Sequence, residues 1–137
     1  MKHRQENRSG PSQRQLRVGE LVRHAIADLL RRGEIIDPVI EAAIITIPEV
    51  RMSPDLKLAT AYVSLHDESQ EKAVLKALEK YSGLFRMDIA RKVNLKSAPQ
   101  VRFRPDETLE VAAKIDALLR RPEVQRDLGG LDEADED

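Results

Sequence analysis

The chain has 137 residues, enough for one domain with a small core and tails, and its lack of cysteine excludes disulfides, thiol catalysis and cysteine-held metals. Only 3% of residues are aromatic, which argues against a single-strand binder built on several base-stacking rings. No apolar run approaches the roughly 20 residues of a membrane span, and the basic opening MKHRQENRSGPSQRQ lacks the apolar stretch of a secretory signal, so a cytoplasmic protein is expected.

Residues 1–13 are polar and broken by Ser9-Gly10-Pro11, and read as a disordered basic arm. A first helix is predicted from about Gln13 to Arg32, with Val18, Val22, Ala25, Ile26 and Leu29 on one stripe and Gly33 as its C-cap. Asp37-Pro38 marks a loop or a short turn into the sheet. Residues 43–52 read as a strand, and Pro48 inside it predicts an edge position or a bulge. Ser53-Pro54-Asp55 supplies a turn, and residues 56–65 form a second, antiparallel strand. Ala59, Ala61, Val63 and Leu65 lie on one face of that strand and Leu58, Thr60, Tyr62 and Ser64 on the other; the pattern alone leaves open which face meets the helices.

His66-Asp67-Glu68-Ser69 ends the strand and offers a cap. A helix then runs from about Gln70 to Tyr81, breaks near Ser82-Gly83 and continues to about Lys92. Its apolar residues Leu75, Leu78, Tyr81, Phe85, Ile89 and Val93 recur at helical spacing. Gly83 costs a continuous helix about 1 kcal/mol against alanine, so it reads either as a cap between two helices or as a bend. Pro99 opens a third strand, residues 100–104, with Val101 and Phe103 on one face. A last helix, 108–121, and an acidic tail, 129–137, complete the chain. The domain scheme is therefore an arm (1–13), a helix-strand-strand-kinked helix-strand domain of α+β class (14–106), a helical extension (107–128) and the tail.

The near-neutral total charge hides an asymmetry. Residues 1–106 carry 19 basic and 14 acidic side chains, whereas residues 107–137 carry 4 basic and 10 acidic. The basic excess concentrates in Lys76, Lys80, Arg86, Arg91, Lys92, Lys96, Arg102 and Arg104, against only Glu79 and Asp88 in the same stretch. Clustered Lys and Arg neutralise phosphates and release counterions, so this set is the candidate RNA surface. Arg14, Arg17 and Arg23 join it from the first helix. The bland alternative is a solvated charged face. His24 and Asp28 stand one helical turn apart but lack the further ligands a metal site needs, and read as a surface pair. No nucleophile elbow, phosphate-binding glycine loop or paired-carboxylate motif appears, so neither an enzyme nor a cofactor is expected.

Several stretches together resemble the bacterial ribosome-binding factor A family. They are Arg17-Val18, Asp37-Pro38, Val50 with Ser53-Pro54-Asp55-Leu56, Ala61-Tyr62-Val63-Ser64, Ser82-Gly83-Leu84-Phe85-Arg86, and Pro99 through Val101 and Phe103 to Asp106. The resemblance implies a KH-like fold of the second type, in which a helix-kink-helix at Tyr81-Ser82-Gly83 replaces the GxxG loop of ordinary KH domains. The family kink is usually Ala-x-Gly, so Tyr81 is a departure. The resemblance further implies binding to the free 30S subunit or its precursor, near the 5′ region of 16S rRNA. It implies support of late rRNA maturation, most needed in the cold, and release by a competing partner such as an assembly GTPase. A monomer is expected, because no long exposed apolar stripe argues for an obligate dimer. A protein-interaction module docking through the last helix and acidic tail is the competing reading, and it predicts weak dependence on salt.

Overall fold

The computed structural model describes residues 10–106 and 115–120. Two compact units emerge, residues 1–105 and 106–137. In the second, residues 115–119 are helical and exposed. The rest of the expected last helix, the acidic tail and the arm up to residue 9 lie outside the described residues.

Helix α1 (Gln13–Arg32) starts at a capping box. Ser12 Oγ accepts from the Gln15 amide at 3.1 Å and the Gln15 side chain accepts from the Ser12 amide at 2.9 Å. The helix ends at Gly33, whose φ of 69° is a left-handed cap that glycine adopts without a Cβ clash. The expected stripe, Val18 through Leu29, is buried. Residues 37–38 hold more than a loop. Asp37 caps a short helix α2 (Pro38–Ala42), accepting from the Val39 amide at 2.9 Å, with Pro38 in the first turn. That helix delays strand β1 (Ile45–Met52) by two residues relative to the sequence expectation.

Strand β2 (Leu58–Leu65) pairs antiparallel with β1, and strand β3 (Gln100–Pro105) pairs parallel with β2, giving the order β1-β2-β3. Pro48 satisfies both readings made of it: β1 is an edge strand, and its register shifts between Thr46 and Glu49. β2 starts later than expected because Leu56 adopts φ 61° and its amide donates to Ser53 O, closing the turn. Between β2 and β3 the chain forms a 3-10 turn (Glu68–Gln70), capped by Asp67, then helices α3 (Glu71–Lys80) and α4 (Ser82–Lys92).

Helices α1, α3 and α4 lie against one face of the sheet, and α2 packs on α3. Ala59, Ala61 and Val63 of β2 point into it, with Ile47, Val50, Met52, Val101 and Phe103 from the other strands. Phe85 of α4 meets Phe103 edge-on, ring centroids 5.1 Å apart. α1 closes on β1 at Gly19, where an added Cβ would lie 2.6 Å from the Val50 carbonyl oxygen. Sequence reasoning missed this glycine, which looks like a mere helix weakener until its neighbour is known. Gly19→Ala should therefore destabilise the domain by about 1–3 kcal/mol despite alanine's better helix propensity, read as a lower urea midpoint.

Candidate nucleic-acid interface

The break between α3 and α4 sits at Tyr81, the first residue of the expected Tyr81-Ser82-Gly83 kink. Tyr81 has φ −102° and ψ 15°. Its amide donates to Leu78 O at 3.0 Å, tightening the last turn of α3, and its carbonyl accepts from Leu84 and Phe85 to start α4. Gly83 is neither a left-handed cap nor the bend. It lies in the first turn of α4, exposed, with nothing within 4 Å of a would-be Cβ. The side chain of Tyr81 is tethered: its hydroxyl donates to Asp37 Oδ2 at 3.1 Å, while Asp37 Oδ1 caps α2. Burial and then the adjacent carboxylate push the Tyr81 hydroxyl above its usual pKa.

This break faces the free edge of β3 across a groove of about 600 Å³, lined by Glu79, Ser82, Gly83, Arg86, Val101 and Arg102 among others. The Gln100 amide donates to Lys57 O, so alternation turns the main chain of Val101 and Phe103 outward, toward the groove side. Glu79 takes the Phe103 amide at 2.9 Å. On the opposite wall the first turn of α4 has no side-chain cap and no acid, leaving helix-start amides that favour an anion. Arg86 and Arg102 are anchored through Nε, to Ala98 O at 3.3 Å and Thr60 Oγ1 at 2.8 Å, so their terminal nitrogens remain for a ligand.

The other expected cations are dispersed. Lys76 and Lys80 lie on α3, with Lys80 5.5 Å from the Tyr81 ring centroid, and Arg91 is exposed on α4. Arg14 and Lys96 share a separate small cleft with Asp55. Arg17 is exposed on α1. Among the described residues none of Arg14, Arg17, Lys76, Lys80, Arg86, Arg91, Lys96 or Arg102 forms an ion pair with an acid.

Three expected cations are internally engaged. Lys92 Nζ lies 2.7 Å from Asp28 Oδ2 and 3.2 Å from Asp88 Oδ2, joining α4 to α1, and its ammonium is held above the usual lysine pKa, chiefly by Asp28. Arg32 completes the cluster at 3.0 Å from the buried Asp88. Arg23 is paired with Glu20 at 2.9 Å. Arg104 reaches Phe103 O at 2.8 Å and lies 3.7 Å from Glu79. Asp28 is thus no partner of His24, which instead lies 3.5 Å from Glu20. Among the described residues no group of three or more potential ligands could hold a metal ion.

A three-stranded mixed sheet backed by helices, with a broken helix standing over the edge of its third strand, is a KH-like architecture. Residues 14–119 match the family model described as Ribosome-binding factor A. A ribosome-binding factor A from Methylobacterium sp. (strain 4-46) is 62% identical over 122 residues, covering 89% of this chain and 88% of that one. The crystal structure of ribosome-binding factor A from Thermus thermophilus superposes with TM-score 0.58 at 25% identity, covering 66% of this chain and 94% of that one. A Thermus thermophilus model fitted into the map of a 30S–RbfA complex gives TM-score 0.51 at 25% identity, over 63% of this chain and 88% of that one. The chain belongs to the ribosome-binding factor A family.

Two expectations follow from the geometry. Gly83→Ala should raise stability by about 0.5–1 kcal/mol, read as a higher urea midpoint, because the site is helical and sterically open. Asp28 is held by Lys92 first, then by Arg31, which lower its pKa from 3.8 to about 2. The unfolded chain therefore binds a proton at Asp28 at higher pH than the folded one, and stability is lost as pH falls from about 4 to about 2. Asp28→Asn should lower the urea midpoint at neutral pH and flatten its decline across that acid window.

Proposed function

We propose that this protein binds the free 30S subunit or its precursor through 16S rRNA and assists late maturation near the 5′ region of that RNA. The observation that carries the reading is the groove at the α3–α4 break. Uncapped helix-start amides, an exposed glycine backbone and two arginines with free terminal nitrogens converge there, while Lys80 and Arg91 lie on α3 and α4 outside the groove's lining. Amides and guanidinium groups suit phosphate rather than base edges. Membership in a family with a relative fitted into a 30S complex supports the small subunit as the source of that phosphate. The action is occupancy: the domain grips a junction in an immature arrangement and makes no covalent bond. It works without a cofactor, most importantly in the cold, and a competing partner such as an assembly GTPase releases it.

The test is sucrose-gradient fractionation with the purified protein and 30S subunits. The wild type should co-migrate with free 30S and be absent from full ribosomes, and Lys80→Glu/Arg86→Glu/Arg91→Glu should remain at the top while keeping its circular dichroism. If four phosphates are contacted, raising salt from 50 to 200 mM should weaken binding about a hundredfold. Binding that survives both the charge reversal and the salt would instead fit a protein-docking contact.

A further inference from the structure

The helices cover one face of the sheet, and among the elements of residues 10–105 nothing covers the other. Side chains of alternate residues emerge there in two rows across the strands. Arg51, Thr60 and Arg102 stand in register, and so do Glu49, Tyr62 and Arg104. Three arginines and one glutamate thus surround the tyrosine at the centre of the face, in the Ala61-Tyr62-Val63-Ser64 stretch for which the groove has no use.

The arrangement is built rather than loose. Arg51 lies over the Tyr62 ring, its guanidinium carbon 5.1 Å from the centroid. Glu49 takes the Nε edge of the same guanidinium at 2.9 Å and its Nη2 at 3.4 Å. Tyrosine beneath and carboxylate beside fix the plane, while the side chain stays 65% exposed. Glu49 takes two of the five guanidinium donors and Tyr62 covers one face, so the opposite face and the remaining donors point outward. A flat cationic face of this kind suits a nucleobase, and the remaining donors suit the phosphate that comes with it. Arg102 lines the groove at the helix break and also reaches Thr60 Oγ1 on the open face. The two surfaces are therefore continuous around β3. With strands about 4.8 Å apart, Arg51 and Arg102 stand roughly 10 Å from each other across β2. Arg104 turns back over the edge to Phe103 O and contributes charge more than contact.

We propose that the open sheet face is a second RNA contact, where an unpaired base stacks on the Arg51–Tyr62 pair and Arg102 holds a phosphate of the strand leading from the groove. It rests on the small-subunit reading above and extends it: one strand would run from the α3–α4 break around β3 onto the sheet. A single ring with an arginine plane is enough for one base, so the low aromatic content does not weigh against it.

The experiment compares 30S affinities of the full chain carrying Tyr62→Leu, Tyr62→Phe, Arg51→Gln or the groove variant Lys80→Glu/Arg86→Glu/Arg91→Glu. Tyr62→Leu should lose about fivefold to a hundredfold, the range for one base stacked on a ring, whereas Tyr62→Phe keeps the ring and should bind like wild type. Arg51→Gln, on an exposed side chain, should lose affinity without changing the melting temperature, and it carries the test if Tyr62→Leu fails to fold. A photo-crosslinker at position 51 should label 16S rRNA. Full affinity in Tyr62→Leu and Arg51→Gln alongside loss in the groove variant would overturn the sheet contact and leave the ribosome reading standing. Full affinity in all of them would overturn both. Label found only on a ribosomal protein would also sink the proposal.

Discussion

The constraint on which this domain turns is the parallel pairing of β3 with β2. Parallel neighbours cannot be joined by a hairpin, so the chain must cross the sheet between them. Here it crosses as α3 and α4 on the same face as α1. Among the elements of residues 10–105 one face of the sheet is left uncovered and β3 has no further strand at its outer edge, over which the break in the crossover stands. The groove and the bare sheet face are two results of one connection. Neither required a special loop, which fits a chain with no GxxG sequence.

Charge was the guide to the interface, and the structure shows why counting it is insufficient. Lys92 and Arg91 are sequence neighbours, yet a helix sends them to different sides. Lys92 falls one turn from Asp88 and meets Asp28 from α1, whereas Arg91 meets no acid among the described residues. Asp88 is buried, and an isolated buried carboxylate is expensive. Lys92 and Arg32 are therefore structural cations that make the acid tolerable. The cations left over are those that form no ion pair among the described residues, even where an acid lines the same cleft, as Asp55 does beside Arg14 and Lys96.

Much of the fold was legible because its signals are local. The α1 stripe, the Gly33 cap and the Pro48 edge-or-bulge rule each follow from a few adjacent residues. The helix α2 was equally local, since Asp37 followed by Pro38 is a cap with proline at the first turn, but five residues are too few to show periodicity. What could not be read was anything set by distant partners. The face of β2 that meets the helices, the Gly19–Val50 approach, the capture of Lys92 and the Arg51–Tyr62 pair all join residues far apart in sequence. The position of the helix break shows the limit most clearly. Gly83 drew attention as the weak helix former, yet Tyr81 makes the turn through its main chain, and Asp37, 44 residues away, holds its side chain.

That tether has a mechanical consequence. Tyr81 is at once the point where the two helices part and the donor to a carboxylate that starts α2. Changing the angle between α3 and α4 would swing the tyrosine ring and either break its hydrogen bond or pull Asp37 away from the Val39 amide. Bend, tyrosine and short helix are therefore coupled through one hydrogen bond, worth about 1 kcal/mol. A relative with alanine at this place has no such strut. In this chain a change in the angle between α3 and α4 would be felt at the start of α2 as well.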